Sequence, residues 1–164
     1  MPRLVSPTAA DFNPLLALFN TRRYAELETQ VSALLAIYPD APFAWQLLGG
    51  ALQMQGKDAL AAFQKVTELS PQDAGAHFNL GVAFKSAGQL EHAAASYRRA
   101  LALRSDYVEA LGNLGNVLQD LGRFDEAVPC YRRALLIHAT SEPCSDTSNC
   151  CLKSSGILVA RCAV

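Results

Sequence analysis

Ala76-His77-Phe78-Asn79-Leu80-Gly81-Val82-Ala83-Phe84 and Ala110-Leu111-Gly112-Asn113-Leu114-Gly115-Asn116-Val117-Leu118 are two copies of one pattern, offset by 34 residues. The same offset relates Gly88-Gln89-Leu90-Glu91-His92-Ala93 to Gly122-Arg123-Phe124-Asp125-Glu126-Ala127. It also relates Tyr97-Arg98-Arg99-Ala100-Leu101 to Tyr131-Arg132-Arg133-Ala134-Leu135. A constant offset across a small-residue site, a turn glycine and an aromatic position marks repeated supersecondary units, none of which buries its apolar face alone.

Each unit reads as two helices. Asp73 is suited to cap a helix from Ala74, because its carboxylate accepts from backbone N–H groups that lack intrahelical partners. Phe78, Leu80, Gly81 and Phe84 recur at helical rather than strand spacing. Gly88 stands where a helix closes in the left-handed conformation. Ala93, Tyr97, Ala100 and Leu101 then share a face of a second helix. The small residues Gly81 and Ala93, repeated as Gly115 and Ala127 and as Gly49 and Ala59, are expected where the two helices cross closely. Phe84, Tyr97 and Leu101 are expected to fill the space between units.

An earlier copy opens with Ala44-Trp45-Gln46-Leu47-Leu48-Gly49, turns at Gly56, and closes at Pro71. It is two residues short, with the gap placed just after Gly56. A more diverged copy from Phe12 to Pro39 lacks the Leu-Gly pair. The units are therefore 8–41, 42–73, 74–107 and 108–141, followed by an irregular segment 142–164 containing Cys and Ser. Helix pairs are expected near 11–20/24–37, 43–54/58–69, 74–87/91–103 and 108–121/124–138. If Asp125 caps the last helix, Pro129 falls on its fourth position, where it distorts the first turn without breaking the helix.

These residues resemble the tetratricopeptide repeat family, whose period is about 34 residues. The resemblance covers roughly four-fifths of the chain and implies an all-α fold, an α-α superhelix of antiparallel helix pairs with a concave groove lined by the first helices. The family is a scaffold for binding proteins or peptides. Within it, the sequence is similar to the repeat region ahead of bacterial O-linked N-acetylglucosamine-transferase-like glycosyltransferases and of sulfotransferases. That likeness implies an alternative role, as a non-catalytic region that recruits substrates for a linked enzyme.

Composition narrows the function classes. The chain has 164 residues, 51% of them hydrophobic, and a net charge of −1 from 14 basic and 15 acidic side chains. Phosphate-backbone binding needs a basic excess that is absent here, so nucleic acid is not the expected partner. No run approaches the ~18 apolar residues of a membrane span. The opening Met1-Pro2-Arg3-Leu4-Val5-Ser6-Pro7 is a poor secretory signal, and a cytoplasmic location is expected. Five cysteines, four of them after residue 140, have neither the pairing of a disulfide framework nor zinc-site spacing.

No catalytic residue, metal ligand or cofactor is assigned. His77, His92 and His138 fall one per helix at different phases, and no nucleophile stands beside a base. The Leu-Gly pairs lie inside helices, the wrong context for a phosphate-cradling loop. Arg98-Arg99 and Arg132-Arg133 read as solvated faces of second helices. Asn79 and Asn113 share one repeat position, where the resemblance to the O-linked N-acetylglucosamine transferases implies an asparagine ladder holding a peptide backbone. A primary amide donates and accepts at once, which suits a peptide group. Leu47 takes that position in the second unit. Asn116 matches the asparagine of a chaperone-type carboxylate clamp, but Phe78 and Gly112 stand where the clamp has lysine, so a clamp is not expected. Asn79, Asn113, Asn116 and Lys85 are the candidate groove residues. The last repeat lacks a capping helix, and its apolar edge is expected to be available for self-association.

Overall fold

The computed structural model describes residues 9–141, with side chains from 12 to 139. Eight helices run through them: α1 (Ala9–Asn20), α2 (Tyr24–Ile37), α3 (Pro42–Met54), α4 (Leu60–Leu69), α5 (Ala74–Ser86), α6 (Leu90–Leu103), α7 (Val108–Asp120) and α8 (Phe124–Ser141). Each packs on the next in the chain, and α1 also touches α3. The result is the expected all-α superhelix of helix pairs. No helix among the described residues is long and apolar enough to cross a membrane.

The turn inside each pair is built the same way four times. The N–H of Arg23, Lys57, Gln89 and Arg123 reaches back to the carbonyls of Leu18, Leu52, Phe84 and Leu118, at 2.8 to 3.0 Å. This is the closing bond of a Schellman turn, which needs a left-handed residue just before the donor. Gly56, Gly88 and Gly122 supply it with φ of 70°, 75° and 74°. The first unit places Arg22 there, at φ 59°. A side chain with a Cβ pays a steric penalty in that conformation.

Between the helices of a pair, one contact sets the spacing. A Cβ placed on Gly81 would sit 2.6 Å from Cε1 of Tyr97, and one on Gly115 would sit 2.7 Å from Cε1 of Tyr131. Gly49 stands the same way against Phe63, at 2.7 Å. The glycine therefore makes room for an aromatic ring of the second helix, four residues beyond the alanine expected to be its partner. Ala59, Ala93 and Ala127 are themselves buried. The diverged first unit solves the same problem differently. Leu15 stands in the glycine's register and Val31 in the ring's; both are buried, in one cluster with Leu27. A larger residue on the first helix is matched by a smaller one on the second.

One boundary and one cap depart from expectation. The gap in the second unit lies not at its turn glycine but at the start of α4. The Schellman bond of Lys57 is intact, while Asp58 and Ala59 remain outside the helix, with Asp58 Oδ1 accepting from the Leu60 N–H at 2.8 Å. That leaves α4 with 10 residues against 14 in α2 and α6. At the other end, α8 begins at Phe124, as expected; Asp125 is therefore its second residue and not its cap, and Pro129 lies a full turn inside the helix. Glu126 N–H bonds to the carbonyl of Arg123, a tight i to i+3 contact, and the helix continues past the proline. The segment 142–164, with Cys144, Cys150, Cys151 and Cys162, lies outside the described residues.

Two stability tests follow from this packing. Gly81→Leu is expected to destabilise the fold by about 3 kcal/mol, since the ring of Tyr97 has nowhere to go, whereas exposed Arg99→Ala stays within about 0.5 kcal/mol. Urea melts with equal midpoints for the two variants would contradict the packing. Arg22→Gly is expected to stabilise by about 1 kcal/mol by relieving the left-handed arginine; a lowered midpoint would show the turn is held by the arginine side chain instead.

Candidate peptide-binding groove

Of the two first helices that carry the candidate residues, α5 is fixed at its start by side chains, whereas the N-cap of α7, Tyr107, makes no side-chain cap bond. Asp73 Oδ1 accepts from the Gly75 N–H at 2.8 Å and caps α5 as expected. One residue past each cap region, the same repeat position ties the incoming loop down. Trp45 Nε1 donates to the carbonyl of Pro39 at 2.7 Å, and His77 Nε2 lies 3.0 Å from that of Pro71. In α7 the position is Leu111, which is buried instead.

Asn79 and Lys85 lie on α5, Asn113 and Asn116 on α7. No direct bond joins them. Asn79 and Asn113 are half-buried in equivalent places, and neither amide makes a side-chain hydrogen bond among the described residues. Asn113 and Asn116, three apart, share a face of α7. Six residues separate Asn79 from Lys85, which puts them about 120° apart around α5. Lys85 is half-buried and forms no ion pair among the described residues. Neither of two surface hollows, of about 530 and 420 Å³, is lined by any of the four.

Asn116 has an internal partner that sequence reasoning missed. The Tyr131 hydroxyl donates to Asn116 Oδ1 at 2.7 Å and also lies 3.2 Å from Gln119 Oε1. The ring that fits over Gly115 thus carries its hydroxyl through to the polar face of α7. In the preceding unit the equivalents of Asn116 and Gln119 are Val82 and Lys85, which offer no acceptor. Tyr97 is fully buried and its hydroxyl has no hydrogen-bond partner among the described residues. Burial pushes that hydroxyl's pKa up to about 12. The 34-residue alignment held the signal: an amide in one repeat facing the tyrosine position, a valine in the other.

The arginine pairs are partly engaged. Arg98 bonds to Glu126 at 2.8 Å, joining α6 to α8, and Arg133 donates to the carbonyl of Ser105 at 2.7 Å. Arg99 and Arg132 stay exposed without an ion pair among the described residues. Cys130 is half-buried, its Sγ 3.4 Å from the carbonyl of Glu126, and burial pushes its thiol pKa up, away from a reactive thiolate. Among the described residues, no cluster of three or more His, Cys, Asp or Glu is placed to hold a metal ion.

A TPR repeat model matches residues 83–122 and a tetratricopeptide repeat model matches residues 108–140. The chain carries tetratricopeptide repeats. No curated protein matches the sequence. Among solved structures, MamA from Desulfovibrio magneticus RS-1 superposes with a TM-score of 0.76 at 22% identity, over 81% of this chain and 76% of that one. A second MamA crystal structure gives 0.75 at 20% identity, over 79% and 77%. MamA from AMB-1 gives 0.72 at 25% identity, over 80% and 73%. These likenesses extend the repeat architecture across all four helix pairs, beyond the residues matched by the family models.

The two tyrosines predict opposite responses. Tyr97→Phe is expected to be neutral or to stabilise by up to about 1 kcal/mol, because it removes a buried hydroxyl with no partner, while Tyr131→Phe loses a hydrogen bond and costs about 1 kcal/mol. The Tyr97 hydroxyl ionises more readily unfolded than folded. Its contribution is thus constant below pH 10, and stability falls as the pH rises from 10 toward 12. Chemical melts across that range should show a shallower loss in the Tyr97→Phe protein; identical slopes would show the hydroxyl is not buried.

Proposed function

We propose that this tetratricopeptide chain is a non-catalytic protein-interaction module that holds an extended peptide against its first helices. One observation carries the reading. Asn79 and Asn113 repeat at a spacing of one unit, are half-buried, and keep both amide donors and the acceptor unengaged among the described residues. Two such amides in register present paired donor and acceptor sites to successive peptide groups, which recognises a backbone rather than a particular sequence. Asn116 takes a secondary place beside the Asn113 rung, and Lys85 lies about 120° around α5 from the Asn79 rung. Asn116 retains its amide donors while its oxygen serves Tyr131, and Lys85 offers a cation to a carboxylate or carbonyl.

The same rungs support the alternative in which the chain recruits substrate polypeptides for a linked glycosyltransferase or sulfotransferase; sharing a transcript or a complex with such an enzyme distinguishes the two. Self-association through the edge of the last repeat belongs to the interaction role as well, since α8 exposes Phe124, Val128, Leu135 and Leu136.

The test begins with affinity capture by the purified chain, followed by calorimetry on a synthetic peptide from a captured partner. Asn79→Ala with Asn113→Ala is expected to weaken that peptide about tenfold or more, from about 1 kcal/mol per lost neutral hydrogen bond, with the melting midpoint kept. Arg99→Ala with Arg132→Ala should shift affinity only slightly, in a salt-dependent way. Loss of binding with the arginine changes and not with the asparagine changes places the partner on the second helices and ends the groove reading.

A further inference from the structure

The internal repeat shows what the outer face of α8 is made to meet. In the third unit the residues Leu90, Ala94, Tyr97 and Leu101 are covered by α7, packed in one cluster with Leu114, Val117 and Leu118. Ala94 and Tyr97 are fully buried there. Their counterparts 34 residues on are Phe124, Val128, Tyr131 and Leu135. Phe124, Val128 and Leu135 are 61%, 52% and 71% exposed, and only Tyr131 is half-buried. The four fall within about 60° of one another around α8. They form an apolar stripe of the kind that packs against another helix.

The spacing of that stripe is 4, 3 and 4 residues, the same read in either direction. An antiparallel α8 related by a two-fold axis between positions 129 and 130 therefore sets Phe124 against Leu135 of the second copy, and Val128 against its Tyr131. A pair of charges beside the stripe is placed nearly about the same axis, its midpoint one residue away. Asp125 and Arg132 lie on one flank, both exposed. The ion pairs at this end of the fold join Glu126 to Arg98 and Arg123, and Arg123 to Glu91, leaving those two out. In the antiparallel pair like flanks meet. Asp125 then comes level with Arg132 of the other copy to within about 3 Å along the axis, well inside the reach of an arginine. Within one chain the two are about 10 Å apart along the helix and do not pair.

We infer that the partner of this face is a second copy of the chain, docked α8 on α8 as a two-fold dimer. The interface is isologous and closes at two subunits, whereas stacking α8 onto α1 of a neighbour would be head-to-tail and open-ended. The inference rests on the self-association reading above and adds its geometry.

Sedimentation velocity of the full chain over a concentration series tests both levels. The expected species is a concentration-dependent dimer with nothing larger. Leu135→Glu, at a site exposed enough to leave the fold intact by circular dichroism, should raise the dimer dissociation constant at least about tenfold. Asp125→Arg and Arg132→Asp should each weaken the dimer about tenfold through like-charge contacts. Mixed one to one, the two charge variants should recover a heterodimer, since both of its cross-pairs are again opposite in sign. A full chain that stays monomeric overturns self-association and this dimer together. A dimer insensitive to Leu135→Glu, higher oligomers, or no recovery on mixing leaves self-association standing and overturns the α8 pairing.

Discussion

The fold depends on one contact made three times: an aromatic ring of the second helix lying over a glycine of the first. Phe63 on Gly49, Tyr97 on Gly81 and Tyr131 on Gly115 leave no room for even a methyl group. A glycine inside a helix costs about 1 kcal/mol relative to alanine. The ring offsets that cost by burying its face on bare backbone and by fixing how near the two axes approach. Because the next unit packs on the same ring, its position is passed along the chain. Val117 and Leu118 of α7 sit in the cluster around Tyr97. An error in one crossing would therefore propagate into the register of the following pair.

The first unit shows what is required and what is one solution among several. It lacks the glycine and the ring, yet Leu15 and Val31 fill their places and are buried. Volume is conserved across the crossing while the residue types change, as expected of a close-packed interior. The turn is stricter. All four units close with the same backbone bond, and the unit without a turn glycine forces Arg22 into the left-handed region to keep it. Backbone hydrogen bonding thus tolerates less substitution here than side-chain packing does.

This difference decides what was legible in the sequence. The turn glycines, the proline closures and the phase of the apolar residues located all eight helices to within a few residues, because each reflects local backbone chemistry. The start of α4 was misplaced because a deletion leaves no mark on which side of a turn absorbs it; the intact bond of Lys57 and the side-chain bond of Asp58 assign it to the first turn of the helix. The sequence places Gly81 and Ala93 at the close crossing because both are small. The structure shows instead that a space is left for a large residue. The hydrogen bond of Asn116 depends on a ring fifteen residues away reaching across the pair, and single-helix periodicity does not carry that information.

The ring also connects the core to the candidate groove. A tyrosine at this position must place its hydroxyl at the surface of the first helix, where two residues one turn apart receive it or do not. In the last unit Asn116 and Gln119 receive it, and an amide that would serve a ligand is partly committed to the core. In the third unit Val82 and Lys85 do not, so among the described residues the hydroxyl is buried without a partner and the lysine forms no ion pair. The position three residues before, Asn79 and Asn113, lies outside this competition in both units. Along one helix, then, the residues facing the ring answer to stability, while the asparagines beside them make no side-chain hydrogen bond among the described residues.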